Sequence, residues 1–360
     1  NNAFSGCASL ESVSLPDSLT NIGYEAFSKC VSLTSVDIPE GVTTIGSGAF
    51  NGCKLLNKIT IPSTIKTIGS DYGTGAFQDC TSLASVTIKE GIQTATMGGN
   101  TYSGCTAITS IVIPGNYSEI QQSAFENCKG LKTLTYSPSV KGITHKIASY
   151  AFKGCQSLAQ VTLGTGLESI DSEAFYNDSM IAEINIPAGV KSIGQNAFAN
   201  CTRLSKLTLP EGLVTIKSGA FQSCKSLKSV EIPSTVTKVT DGYTAGAFEN
   251  CTGLTNVTFK QGIEEAVIGQ DCFNGCQSLL SVVIPGNYSE IDQNAFENCT
   301  SLKSFKYAVS VNNIEHTIGN SAFRNCQSLT SVTLEKGLKI IDSYAFRNTC
   351  LLYTSPSPRD

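Results

Sequence analysis

Apolar and polar residues alternate along this chain in short segments that recur from one end to the other. In one such segment Leu33, Val36 and Ile38 are separated by polar residues, and Pro39 follows directly. Alternation with a period of two predicts a strand with one buried face. Proline fits at the end of the strand, where its missing N–H costs little.

A second apolar pair follows each predicted strand. In the same repeat Val42 and Ile45 are succeeded by Gly46, then by a small and a large residue, Ala49 and Phe50. No segment keeps a helical period for longer than about one turn, so we predict short strands, turns and 3₁₀ segments here. The pattern therefore predicts a mainly β fold.

The aromatic residue of this pattern recurs at intervals of 23 residues, with expansions to 25 and 27. It stands at positions 4, 27, 50, 77, 102 (a tyrosine), 125, 152, 175, 198, 221, 248, 273, 296, 323 and 346. A fixed period of this length is the signature of a solenoid, in which each repeat forms one coil. We predict that stacked coils form a parallel sheet and bury like residues on like.

The array is internally duplicated. The order of the intervals repeats after 175 − 4 = 171 residues, and residues 113–120 return unchanged as residues 284–291. We predict a single solenoid over residues 1–349, made of two related halves at about 5–175 and 176–346. The composition agrees with one continuous core, since 41% of the residues are hydrophobic and only 15% are charged.

Most of the fifteen cysteines occupy one position of the repeat, three residues after the aromatic residue. Stacked coils place such side chains ~4.8 Å apart and pointing the same way, which opposes the torsion that a disulfide needs. We therefore predict a ladder of buried thiols. A linear ladder does not converge on one point, so we expect no metal site.

Other function classes find little support in the sequence. The two histidines, His145 and His316, lie one duplication apart, about 34 Å by strand spacing, so they share no site. We expect no catalysis and no cofactor. The net charge is −4, and the sequence shows no basic stripe of the kind that nucleic-acid binding requires. No apolar run reaches the ~18 residues of a membrane span, and we expect a monomer.

The repeat unit Cys-x-x-Leu-x-x-Val-x-Ile-Pro-x-x-Val-x-x-Ile-Gly-x-x-Ala-Phe resembles the BspA-like leucine-rich repeats of host-associated bacteria and some parasitic protists. The match runs from Asn1 to about Asn348. It departs from the general leucine-rich consensus, because proline replaces the Asn/Cys ladder position after the strand and the cysteine precedes the leucine. The resemblance implies a curved horseshoe with a parallel sheet on its concave face and short strands and turns on its convex face.

The same resemblance implies a non-catalytic role. Proteins of this kind are secreted or surface-anchored and adhere to host proteins, with fibronectin and fibrinogen among their ligands. We therefore expect an extracellular or cell-surface protein that binds matrix or plasma proteins. The alternative is a passive stalk that displays a domain absent from this fragment.

Two sets of residues are candidates for ligand contact. The insertions that expand some coils all fall between the strand and the aromatic residue, hence on one edge, and loops on a rigid scaffold often bind. These insertions supply Tyr72 and His145, and their duplicates Tyr243 and His316. Tyr117 and Tyr288, each within an Asn-Tyr-Ser glycosylation triplet, complete the set. Neutral drift in loop length, or binding by the Ser/Thr-rich strand face, remain alternatives.

Both ends of the chain depart from the repeat. Asn1 begins within a coil, so we expect any export signal and anchor to lie outside this sequence. Residues 350–360 abandon the pattern and resemble a translated sequencing adaptor. We expect them to be an artefact with no part in the fold; the alternative is a genuine Pro/Ser-rich linker.

Overall fold

The computed structural model describes residues 1–70, 73–138, 144–242, 244–308, 311 and 313–350. This part of the chain consists of strands, turns and bends, with no helix. The chain divides into two compact units, Asn1–Leu213 and Val214–Asp360. Each unit is a β-solenoid, which confirms the predicted fold class.

The first unit holds two strands in each complete coil. In chain order they are β1 (Ser12–Val13), β2 (Asn21–Ile22), β3 (Ser35–Val36), β4 (Thr44–Ile45), β5 (Lys58–Ile61), β6 (Thr67–Ile68), β7 (Ser85–Ile88), β8 (Ala95–Met97), β9 (Ser110–Ile113), β10 (Tyr117–Ile120), β11 (Thr133–Tyr136), β12 (His145–Ile147), β13 (Gln160–Leu163), β14 (Leu167–Ile170), β15 (Glu183–Asn185), β16 (Ser192–Ile193) and β17 (Lys206–Thr208).

The second unit repeats the same alternation. Its strands are β18 (Thr215–Lys217), β19 (Ser229–Ile232), β20 (Lys238–Asp241), β21 (Asn256–Phe259), β22 (Ala266–Ile268), β23 (Ser281–Ile284), β24 (Tyr288–Ile291), β25 (Ser304–Tyr307), β26 (His316–Ile318), β27 (Ser331–Leu334) and β28 (Leu338–Ile341).

The unbroken sheet of the first unit is formed by the second strand of each coil, β2 to β16, all paired in parallel. The strands before the prolines, which the alternation predicts, fall into three groups, β1-β3-β5-β7, β9-β11-β13 and β15-β17. The second strands keep their register because each places one buried aliphatic residue opposite the next: Ile22, Ile45, Ile68, Met97, Ile120, Ile147, Ile170 and Ile193.

The aromatic residues of successive coils stack face to face inside each unit. In the first unit the ring centroids of Phe125 and Phe152 are 5.2 Å apart, and those of Phe152 and Phe175 are also 5.2 Å apart. All three side chains have no exposed surface. Burial of like on like, as predicted from the period, gives each coil a core that its neighbours complete.

The segment around each aromatic residue is a series of turns. Around Phe125, Ser123 has a φ of 56° and Asn127 a φ of 59°, and comparable residues recur in the other coils. A 3₁₀ helix needs successive residues near −60°, so a left-handed residue every few positions interrupts it. The prediction of 3₁₀ segments is therefore wrong for the described residues.

Candidate functional site

The two candidate tyrosines of the glycosylation triplets lie in the interior. Tyr117 opens β10 and Tyr288 opens β24, and each is 1% exposed. Their neighbours Asn116 and Asn287 are also buried, at 3% and 1% exposure. Contrary to the prediction that these tyrosines are contact residues, this structure leaves almost none of their side-chain surface accessible to a ligand.

The two histidines are likewise interior residues and not loop residues as we expected. His145 opens β12 and His316 opens β26, and each is 1% exposed. In the first unit Nδ1 of His145 lies 3.1 Å from the carbonyl oxygen of Tyr117, to which the Tyr136 hydroxyl donates at 2.7 Å. A carbonyl oxygen only accepts, so Nδ1 carries the proton.

The second unit builds the same cluster. Nδ1 of His316 is 2.8 Å from the carbonyl oxygen of Tyr288, and the Tyr307 hydroxyl donates to that oxygen at 2.6 Å. Desolvation raises the pKa of the Tyr288 and Tyr307 hydroxyls. These recurring residues, which suggested a duplicated contact patch, instead satisfy a buried carbonyl in each unit.

The other two candidates, Tyr72 and Tyr243, lie outside the described residues. The stems of their insertions are nevertheless well fixed. The Ser47 hydroxyl donates to the carbonyl oxygen of Thr74 at 2.7 Å, and the Ser218 hydroxyl donates to that of Ala245 at 2.6 Å. A contact role for both tyrosines remains a prediction.

The structure presents a candidate that the sequence analysis missed, an isoleucine in full contact with solvent. In a 23-residue coil Val42 follows Gly41 and is completely buried. In the 25-residue coil of the first unit Ile92 occupies the corresponding place after Gly91, yet its side chain is 101% exposed. The chain uses two additional residues before it rejoins the sheet at Ala95, and this expansion turns the isoleucine outward.

Contacts at both ends hold this loop, residues 91–95, in place. The Asn116 side chain donates to the Gln93 carbonyl oxygen at 3.0 Å, and Ala95 N–H donates to the Asn116 carbonyl oxygen at 2.9 Å. A Cβ atom on Gly91 would lie 2.4 Å from the Ser63 carbonyl oxygen, so only glycine permits this approach. The loop therefore displays Ile92 from a fixed backbone.

The second unit reproduces the arrangement in residues 262–266. Ile263 is 85% exposed, and the Asn287 side chain donates to the Glu264 carbonyl oxygen at 3.0 Å. A Cβ atom on Gly262 would lie 2.4 Å from the Ser234 carbonyl oxygen. The buried asparagines thus have a structural task, and their burial also removes them as glycosylation sites.

The polar surroundings of the two isoleucines have diverged while the isoleucines are the same. Ile92 borders a shallow cavity of about 380 Å³, lined by Thr43, Ser63, Thr64, Lys66, Glu90, Ile92 and Gln93. Beside Ile263 stand two exposed carboxylates, Glu264 and Glu265, where the first unit has Gln93 and Thr94. We call residues 91–95 and 262–266 the isoleucine loops.

The strand face before the prolines is a second exposed surface. It carries polar residues with an occasional valine, of which Val112 is 62% exposed and Val283 is 53% exposed. Cross-strand ion pairs also occur there, such as Lys206 with Glu183 and Lys260 with Glu231 at 2.7 Å. Exposed ion pairs of this kind contribute little to stability.

The buried cysteines form no reactive site. All fifteen are free thiols, and thirteen are buried, with Cys7 and Cys350 exposed. Desolvation raises the pKa of Cys53 to about 12 and that of Cys155 well above the ordinary thiol value. A buried thiol with a raised pKa carries little thiolate and is a poor nucleophile.

Neither a metal site nor a membrane span is found in the described part of the chain. No group of three or more His, Cys, Asp or Glu side chains there is arranged to hold a metal ion. Within the same residues no helix has the length and apolar character that crossing a membrane requires.

Comparison with known proteins identifies the type of repeat. Six copies of the "BspA type Leucine rich repeat region" model match residues 1–132, 143–244 and 242–353. A search of the curated proteins found no match.

Two solved structures share the fold. A leucine-rich repeat protein from Bacteroides ovatus is 24% identical, with a TM-score of 0.66 over 96% of this chain and 78% of that protein. A leucine-rich repeat protein from Eubacterium ventriosum is 22% identical, with a TM-score of 0.51 over 97% of this chain and 93% of that protein.

Proposed function

Because the chain belongs to the BspA-type leucine-rich repeat family, we propose that it is a non-catalytic, protein-binding solenoid that acts outside the cell or at its surface. The proposed partners are host matrix or plasma proteins. The observation that carries this proposal is the pair of isoleucine loops, each of which holds a branched apolar side chain in solvent.

An exposed isoleucine on a fixed loop is suited to protein recognition. The side chain gives up almost no contacts within the protein when a partner covers it. Burying it in the partner contributes about 1.5–3 kcal/mol to the binding free energy. The backbone that presents it is held by the buried asparagines, so little ordering cost remains to be met on binding. The chemistry fits a partner with a small apolar pocket surrounded by polar groups.

The duplication strengthens this interpretation. Two-residue expansions at equivalent places expose Ile92 in the first unit and Ile263 in the second, although the neighbouring side chains differ between the units. A side chain that served only to fill a loop could have become polar in either unit. Tyr72 and Tyr243, on other insertions, remain proposed additional contacts.

The proposal is tested by binding of the full chain to immobilised fibronectin and fibrinogen. The wild-type chain is expected to bind at least one of them saturably. The double variant Ile92→Ser, Ile263→Ser should bind about tenfold more weakly or worse, since burying one isoleucine contributes about 1.5–3 kcal/mol and a factor of ten in affinity corresponds to about 1.4 kcal/mol. Its melting temperature should be unchanged, because neither side chain is packed.

A matched control comes from the other exposed surface. The double variant Val112→Thr, Val283→Thr changes two duplicated, exposed, β-branched residues on the strand face, and it should bind as the wild type does. Weakened binding in this control with normal binding in the isoleucine variant would place the site on the strand face. Absence of saturable binding to either protein would favour the passive stalk.

A further inference from the structure

Eleven cysteines of the ladder share one type of hydrogen-bond partner, the main-chain carbonyl of the preceding coil's aromatic residue. In the first unit Cys128 Sγ donates to the Tyr102 oxygen at 3.1 Å, and Cys155 Sγ donates to the Phe125 oxygen at 3.2 Å. In the second unit Cys326 Sγ donates to the Phe296 oxygen at 3.2 Å. The ladder position is therefore a buried place for a hydrogen-bond donor.

One coil of the first unit has a carboxyl at this position. Asp178 stands three residues after Phe175, between Cys155 and Cys201 in the ladder. Its backbone follows that of the cysteine coils: Asp178 N–H donates to the Phe175 carbonyl, and Ile181 N–H donates to the Asp178 carbonyl. In the neighbouring cysteine coils the side chain at this position donates to the carbonyl of the preceding aromatic residue, and for Asp178 that residue is Phe152.

The Asp178 carboxyl is enclosed and lacks hydrogen bonds. The residue is completely buried, and neither Oδ1 nor Oδ2 has a partner among the described residues. The N–H groups of Gly154 and Cys155 lie nearby, but they already donate to the carbonyls of Tyr176 and Phe152. A buried carboxylate without hydrogen bonds is strongly unfavourable, whereas the neutral acid brings the donor that the position requires.

The surrounding charges do not stabilise an anion. The titratable groups that face Asp178 are the thiols of Cys155 and Cys201, one from each adjacent coil. Desolvation raises the pKa of Asp178 well above its ordinary value, and the dipoles of the Cys155 and Gly154 N–H groups offset this only in part.

We propose that Asp178 is held as the neutral acid, that its O–H donates to the Phe152 carbonyl oxygen in place of a thiol, and that its ionisation loosens this coil. Loss of the proton to solvent leaves a buried anion and removes the only donor that the side chain offers. The coil that contains Asp178 is therefore most stable at acid pH and becomes less stable as the pH rises.

The sign of the pH dependence follows from linkage. In the unfolded chain the carboxyl titrates near its ordinary pKa of about 3.9, and in the folded unit the pKa is raised. Below about pH 4 the acid is neutral in both states, so it carries no ionisation penalty. As the pH rises toward the pKa of Asp178 in the folded unit, the equilibrium constant for local opening of the coil grows by up to about tenfold per pH unit.

The test compares the full chain with Asp178→Asn, a neutral side chain of the same shape, and with Asp178→Cys, which completes the ladder. Hydrogen exchange of peptides covering residues 152–204 is measured from pH 4 to pH 8, each variant against wild type at the same pH. Both variants should match the wild type near pH 4 and become about tenfold or more better protected by pH 7. Glu168→Gln, which changes an exposed carboxyl near the same coil, should show no such trend.

Infrared spectroscopy gives an independent readout of the protonation state. At neutral pH the wild type should show the carbonyl band of a protonated carboxyl, and Asp178→Asn should lack it. A wild-type spectrum without that band, or a protection ratio that stays constant from pH 4 to pH 8 in both variants, would overturn the proposal.

Discussion

At the scale of single residues, position in the repeat decides burial only where the coil keeps its basic length. Val42 and Ile92 both follow a glycine after the first strand, yet one is fully buried and the other fully exposed. The two-residue expansion accounts for the difference, because it separates the isoleucine from the sheet register. Phe152 is the opposite case, because the period of the repeat alone predicts that its side chain is buried.

Phe152→Ala tests the aromatic stack. The ring has no exposed surface and lies 5.2 Å from both stacked neighbours, so its loss should leave a cavity and cost about 3–5 kcal/mol. Denaturant unfolding measures this cost. Phe4→Ala is the control, since Phe4 is 41% exposed and stacks on one side only. Equal costs for the two variants would show that the stack does not carry the stability of the coils.

The same scale shows why four of the six candidate contact residues were misplaced. Histidine is rare in this sequence, and His145 recurs in the duplicated half. Such recurrence is expected both of a surface patch and of an internal hydrogen-bond cluster, so it does not distinguish the two. In the structure His145 is buried at the start of β12, where the register against β14 shifts between His145 and Lys146. No periodic signal in the sequence indicates that shift.

At the scale of elements, the strands and the thiol ladder follow from the period. Alternation in Ser35 and Val36 predicted a strand, and one cysteine per coil predicted buried thiols; both are confirmed. The sequence did not predict that the second strands form the unbroken sheet of the first unit. Their continuity comes from pairing between coils, and the sequence of one segment carries no record of it.

Thiol reactivity tests the ladder as an element. In the native protein a thiol reagent should modify two cysteines quickly, Cys7 and Cys350, and the thirteen buried ones only slowly. Raising the pH from 7 to 9 should accelerate the two exposed thiols far more than the rest, because desolvation keeps the pKa of buried thiols such as Cys53 near 12. Rapid modification of more than four cysteines in the native state would contradict the burial of the ladder.

At the scale of the whole molecule, the fold was readable from the sequence and the proposed binding surface was not. Fifteen aromatic positions at a near-constant interval specify a solenoid whatever the identity of the surface residues. The isoleucine loops depend on two small expansions and on a buried asparagine from the next coil. The duplication gives each unit one isoleucine loop, and under the proposed function two weak contacts would act together on a fibrous or repetitive ligand.

The most direct measurement of this account is the rate at which the full chain dissociates from densely coated fibronectin or fibrinogen, for the wild type, Ile92→Ser, Ile263→Ser and the double variant. If both loops bind, each single variant should dissociate at least about tenfold faster than the wild type on the dense surface, because loss of one contact removes the avidity. On a sparse surface the difference should shrink, and the double variant should bind weakly on both. Wild-type dissociation rates in both single variants and in the double variant would contradict the claim that the isoleucine loops are the binding surface.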